Sequence, residues 1–245
     1  MNIKTCYFAS ETIQPGSNVQ LIGYSHSFIP KSELRSFDTI QIDLSKDENI
    51  LLMEMHKTTR RQIRSALDLD LKHIVIDNPS DQELTKFQDF YNRFAKNKQT
   101  HTCNSYHMQT MKLLREKQAL VLTYMQDKEE NVLCYRIYLT DGIIAMNLYS
   151  ASHFRMVDSP EVKRILSQAN RLLIWQSIIW FKDKGNLLYD MGGLSDNENI
   201  RRFKIGFGGE IVPVFSGYEA RSNLAKVILK LRSWKLASAT SRGIQ

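Results

Sequence analysis

The sequence predicts a mixed α/β (α+β) fold, and three observations carry that prediction. Ala119 to Ser150 reads as three strands joined by turn signals at Asp127–Asn131 and Asp141-Gly142, so the middle of the sheet is antiparallel. A helix follows with Leu172, Leu173, Ile174, Trp175, Ile178, Ile179, Trp180 and Phe181. It is apolar on nearly every side, which suits a helix laid against a sheet. From Leu71 onward the order reads β-α-α-β-β-β-α-β-α-β, a layered mixed fold and not a regular βαβ array.

Each element has a local cause. Residues 1 to about 46 form a β-rich lead-in, with strands at Val19–Tyr24 and Thr39–Leu44 and turns at Pro15-Gly16 and Pro30. Glu48 to Leu69 reads as one helix whose cations, Lys57, Arg60, Arg61 and Arg64, fall on neighbouring turns. Leu71–Ile76 is a strand, and Asn78-Pro79-Ser80-Asp81 breaks the chain and caps the next helix. Helices over 81–95 and 105–116 precede the three strands. The apolar helix, read from Asn170, stops at Gly185 after Lys182 and Lys184, cations that suit its C-terminal dipole. A short strand, Leu187–Met191, ends in Asp190, Gly192 and Gly193. A basic, glycine-rich turn, Arg201 to Gly209, leads to a strand at Glu210–Phe215. The chain is expected to divide into a lead-in with its basic helix, 1–70, a main domain, 71–218, and a basic amphipathic tail, 219–245.

Composition narrows the class. The 245 residues carry a net charge of +7 and the apolar fraction of a soluble globular protein. No run of about 18 apolar residues suggests a spanning helix, and the N-terminus lacks the apolar core of a signal peptide. A cytoplasmic protein, peripheral at the membrane if its tail binds there, is expected. Cys6, Cys103 and Cys134 give no disulfide framework. His101, Cys103 and His107 lack a fourth ligand, so no metal is expected. The cations cluster on 57–72, on 201–204 and in the tail, which points to an anionic partner or to solvated basic faces.

Two strings resemble a known family. Trp175-x4-Trp180-x4-Gly185, Asp190-x-Gly192-Gly193 and Phe203-Lys204-x-Gly206-Phe207-Gly208-Gly209 resemble the FemABX branch of the GNAT acyltransferases. Upstream, Thr39 to Ser45 followed by Met55-x-Lys57-Thr58-x-Arg60-Arg61-x-Ile63-Arg64-x-Ala66 is similar to the strand and basic helix that enter the family's last domain. The resemblance implies a GNAT-like, mostly antiparallel sheet with helices on both faces, whose central strands splay to seat an acyl donor. It makes residues 1–70 the remnant of a first such domain. It implies N-acyl transfer from acyl-CoA (acetyl-CoA) or aminoacyl-tRNA, with no permanently bound cofactor, to an amine of a cell-envelope precursor. That acceptor is an anionic small molecule, a lipid-linked saccharide or a peptide stem. One feature departs from coenzyme A-dependent relatives: 153–169 contains no glycine for a pyrophosphate turn.

The candidate site residues follow. Asp190 ends a strand where α/β proteins present ligand groups, and it either takes the amine proton or caps the Gly192 turn. Lys204 either balances donor phosphate and carbonyl charge or is solvated. Tyr149, sharing a strand with Asn147 and expected on the same face, either serves a leaving group or packs. Gly192, Gly193, Phe203, Gly206, Phe207 and Gly208 form the expected donor-binding loop. Lys57, Arg60, Arg61 and Arg64 are the expected clamp for acceptor phosphate. In the tail, Leu224, Val227, Ile228 and Leu231 make a stripe beside Lys226, Lys230 and Lys235. Such a helix lies on an anionic bilayer or packs on its own domain. The alternative to an enzyme is a non-catalytic RNA- or membrane-binding module of the same fold.

Overall fold

The computed structural model describes residues 1–14, 16 and 18–240, with the side chains of 235–240 outside the description. Pro15 of the expected turn, the Lys235 side chain and Arg242 therefore lie outside the described residues. The chain forms two compact units, Met1–Thr39 with Ile211–Gln245, and Ile40–Glu210. The last strand returns to pair with the lead-in, which places both in the first unit.

In the first unit β1 (Ile3–Tyr7) runs parallel to β2 (Leu21–Ser27). β2 pairs antiparallel with β9 (Glu210–Ala220), with a bulge between Tyr24 and Ser27. Ala9, Ile22, Tyr24 and Leu34 form its small core. The Lys31 ammonium bridges Glu219 at 2.6 Å and the Tyr24 hydroxyl at 3.0 Å. After β9 comes a long helix, α7 (Asn223–Thr240).

The second unit holds the second half of β3 (Leu34–Asp43), then α1 (Glu48–Glu54), α2 (Lys57–Leu67), β4 (Lys72–Asp77), α3 (Asp81–Lys98) and α4 (Ser105–Glu116). The hairpin strands β5 (Leu120–Gln126), β6 (Val132–Thr140) and β7 (Ile144–Ser152) follow, then α5 (Pro160–Asp183), β8 (Leu188–Asp190) and α6 (Glu198–Ile205). Its strands lie in the order β3-β8-β7-β6-β5-β4. They are antiparallel except for the β7–β8 pair. Both faces are covered, and β5 shows how. Leu120 and Leu122 join Phe87, Phe90 and Met111 under α3 and α4. Val121 and Met125, one step out of phase, join Trp175, Ile178 and Phe181 of α5. Period-two alternation thus feeds two cores.

Three expectations are corrected. The helix expected over 48–69 is two helices: Met55 turns extended, and His56 caps α2 by accepting the Thr58 N–H at 3.3 Å. The apolar helix starts at Pro160, not Asn170, with Ser159 as its cap. The basic turn at 201–209 is largely a helix, α6. Asn197 starts it by accepting the N–H groups of Asn199 and Ile200 at 3.1 and 3.2 Å. Gly185 ends α5 as expected, with φ +87°.

Candidate active site

The site begins where β7 and β8 part. The two strands pair from Ile144↔Leu188 to Met146↔Asp190 and no further, while β7 continues to Ser152. Among the described residues no strand pairs with that edge of β7 beyond Met146, and the Gly192 loop lies against its Asn147 carbonyl. Against β6, the register moves from Tyr138↔Asn147 to Ile137↔Tyr149, so Leu148 is an extra, bulged residue. Bulges re-aim side chains at such places. Here the bulge puts Asn147 on the α5 face with Tyr138, and Tyr149 on the α3 face with Ile137. The shared face expected for Asn147 and Tyr149 is therefore corrected.

Lys204 reaches back from the last turn of α6 to the loop after β8. Its ammonium donates to the carbonyls of Gly192 and Gly193 at 2.9 and 2.8 Å. Burial, and after it the Arg136 cation, push its pKa down to about 8, while Asp190 pulls it upward. Gly192 has φ +72°, and a Cβ there would sit 2.8 Å from the Asn147 carbonyl oxygen. Only glycine lets the loop lie this close to β7.

Asp190 has no exposed surface. Its carboxylate accepts the Gly192 N–H at 2.7 Å and the Gln41 amide at 3.2 Å. It thus shapes the loop that Lys204 grips. Arg136, which no sequence motif marks, is 4% exposed. Its guanidinium donates to the side-chain oxygens of Asn147 at 2.7 Å and Asn170 at 3.0 Å, and its Nε has no hydrogen-bond partner. A lone arginine inside the apolar run of β6 was the available signal. Beside it, Arg171 lays its guanidinium 4.8 Å from the Phe203 ring centroid and donates to the Ser167 hydroxyl at 2.7 Å. Arg136 and Lys204 thus bring two cations near the buried Asp190.

The remaining predicted residues divide. Tyr149 packs its ring among Phe87, Tyr91 and His107. Phe207 is buried in the core. A Cβ on Gly206 would meet Thr59 Oγ1 at 2.8 Å, one on Gly208 the Glu54 carbonyl at 3.1 Å, and one on Gly209 the Gln41 carbonyl at 2.5 Å. The sides these glycines leave bare are filled by the chain itself, seating the end of α6 on α1, α2 and β3. Gly193 and Phe203 remain beside Lys204.

On α2, Lys57, Arg61 and Arg64 are exposed. Arg60 instead donates to the carbonyls of Met53 at 2.6 Å and Met55 at 3.0 Å, closing the end of α1. Arg60→Ala is expected to lower stability by about 1–3 kcal/mol and to leave substrate KM unchanged, as read by thermal unfolding and kinetics. Arg61 lines a cleft of about 470 Å³ with Gln62, Ser65, Phe154, Lys163, Arg164 and neighbouring α5 residues. No carboxylate lines it. Lys163 and Arg164 were missed because the helix was expected to start after them.

The start of α5 is poorly suited to a pyrophosphate. Pro160 lacks an N–H, Ser159 accepts the Val162 N–H at 3.4 Å, and Glu161 adds negative charge in the first turn. Among the described residues no group of three or more His, Cys, Asp or Glu gathers as a metal site would. Cys103 is held through its main chain by Asn92 and Gln88.

No family model and no curated sequence matches the chain. Solved structures do. FemX aligns with a TM-score of 0.60 at 15% identity, over 74% of this chain and 60% of FemX. The C-terminal DUF2156 domain of a protein assigned as a lysylphosphatidylglycerol synthetase, from Agrobacterium fabrum, aligns at 0.55 and 10% identity, over 87% and 72%. L-PGS from Bacillus licheniformis aligns at 0.52 and 12%, over 86% and 72%. The chain has a FemABX-like, GNAT-type acyltransferase fold. Identities this low speak to the fold alone, and this chain spans only 60% of the length of FemX. In this fold β7 and β8 pair only from Ile144 to Met146, and Lys204 contacts the loop that follows β8.

Proposed function

We propose that this chain is an N-acyltransferase that moves an aminoacyl group from aminoacyl-tRNA to an amine of a phosphate-bearing envelope precursor. The observation that carries this reading is the half-buried Lys204 ammonium at the parted ends of β7 and β8. The amine nitrogen bonds the ester carbonyl carbon, the ester C–O bond breaks, and the amine's proton ends on the released ribose hydroxyl. Lys204 and an N–H of the unpaired β7 edge stabilise the oxyanion between these events. One such donor is worth on the order of 3 kcal/mol in a site shielded from water. Holding ester and amine together is worth more, about 7–11 kcal/mol in favourable cases.

Asp190 is a positioning residue in this scheme. It fixes the Gly192 turn and supplies the negative charge that keeps Lys204 protonated. The first turn of α5, with Pro160 and Glu161, favours a tRNA ester over coenzyme A as donor. The cleft with Arg61, Lys163 and Arg164 suits phosphate, from donor or acceptor.

The test offers the purified chain radiolabelled aminoacyl-tRNA and acetyl-CoA separately, with amino-sugar, nucleotide-sugar and lipid-linked acceptors. Label moving to an amine from tRNA, and not from acetyl-CoA, supports the reading. Transfer from acetyl-CoA alone overturns the donor assignment. Transfer from neither overturns the enzyme. A triple Arg61→Ala, Lys163→Ala, Arg164→Ala variant is expected to raise KM about tenfold or more with kcat held. It should also flatten the salt dependence of binding by roughly one log unit per lost phosphate contact.

A further inference from the structure

Helix α7 is apolar on two faces, and folding uses only one. Ala225 is fully buried and Leu229 half-buried against its own unit. On the opposite side Leu224, Val227, Ile228, Leu231 and Trp234 form one stripe at i, i+3, i+4, i+7 and i+10. All five are exposed, Leu224 at 58% and Trp234 at 64%. Other exposed apolar residues need no partner when scattered, but a contiguous stripe with a tryptophan marks a contact surface.

The charge around the stripe says what it contacts. Residues 221–245 hold six cations, Arg221, Lys226, Lys230, Arg232, Lys235 and Arg242, and no Asp or Glu. The rest of the chain balances, with 27 Lys and Arg against 26 Asp and Glu, so nearly all of the +7 resides here. By helical spacing, Lys226 and Lys230 flank one side of the stripe and Arg232 the other. The Lys230 ammonium lies 5.6 Å from the Trp234 ring centroid, and the Arg232 guanidinium 4.7 Å from that of Tyr218. A second copy pairing stripe to stripe about a two-fold axis would set these cations against themselves. Among the described residues no helix is long and apolar enough to cross a membrane.

We infer that α7 lies in the plane of an anionic bilayer. Its stripe enters the boundary of headgroup and acyl chain, and its cations meet lipid phosphates. Lysines can extend apolar stems along the interface while their ammonium groups reach the headgroups. The surface needs no catalysis and stands apart from the acyl-transfer reading.

Cosedimentation of the full chain with vesicles tests it, using phosphatidylcholine alone and phosphatidylcholine mixed with phosphatidylglycerol. Binding is expected only to the mixed vesicles and is expected to weaken with salt. Leu231→Ser with Trp234→Ser is expected to cut partition by at least about tenfold. Lys226→Gln with Lys230→Gln is expected to reduce it severalfold and remove most of the salt effect. Thermal unfolding of both variants should match the parent, because the replaced side chains are exposed. No binding to the mixed vesicles, or equal binding by parent and variants, overturns the inference. So does a concentration-dependent dimer that the serine variant abolishes, since that gives the stripe to a second copy.

Discussion

Replacing Lys204 with alanine is expected to lower kcat by about 10²–10³-fold, with a smaller change in KM, because it removes a donor aimed at charge that develops during reaction. Turnover on aminoacyl-tRNA measures the effect. A loss confined to KM would remove Lys204 from the chemistry. The pH profile gives a second readout. In the proposed reaction the cation is the working form, and burial pushes its folded pKa down to about 8. Rate is therefore expected to fall as pH rises through about 8. Lys204→Arg should carry partial activity without that limb, since arginine stays charged. Asp190 holds the Lys204 pKa up, so Asp190→Asn is expected to move the limb to lower pH. Stability has a fixed sign as well. A lysine with a depressed folded pKa binds fewer protons folded than unfolded between about 8 and its ordinary value of about 10.5. This group therefore adds stability as pH rises across that window. Denaturant midpoints of parent and Lys204→Met, compared across the window, should diverge in the parent's favour.

Gly192→Ala is expected to damage both the fold and the reaction. The residue sits at φ +72°, and the added carbon would lie 2.8 Å from the Asn147 carbonyl oxygen. Backbone strain of this kind costs about 1–3 kcal/mol. For a chain of this size that lowers Tm by roughly 3–10 °C. Relief comes only by moving the loop off β7, which takes from Lys204 the two carbonyls that hold it. Activity should fall more than stability alone explains. Gly142→Ala is the control: its φ is +89°, yet nothing lies within 4 Å of the new carbon. It should show the strain and keep its turnover. Equal activity in the two variants would mean the loop's seat on β7 does not matter to the reaction.

The hairpins and the apolar helix were legible because their signals are local. Alternation between turn residues located β5, β6 and β7, and α4 occupies the expected 105–116. The parts that were not legible depend on distant neighbours. Helix α6 is only eight residues long and buries none of them fully, so its pattern is too short to stand out, although Asn197 before Glu198 was a usable cap signal. The bulge at Leu148 is a mismatch between strands, invisible in either one. It decides that Tyr149 and Asn147 face opposite sides. The glycines of 206–209 drew attention as a ligand cradle. They are needed because α1, α2 and β3 come within a Cβ's reach of them. Lys204 is legible in the sequence only through the Phe203-Lys204-x-Gly206-Phe207-Gly208-Gly209 string. Its geometry depends on Gly192 and Gly193, separated from it by a loop and a helix.

An ammonium has three hydrogens, and Lys204 directs two of them at the Gly192 and Gly193 oxygens. Tetrahedral geometry then dictates the bearing of the third. A lysine free in water would have to rotate and shed solvent each time an ester arrived. Here that orientation is settled once, when the polypeptide folds, so under the proposed reaction it need not be found again at each turnover.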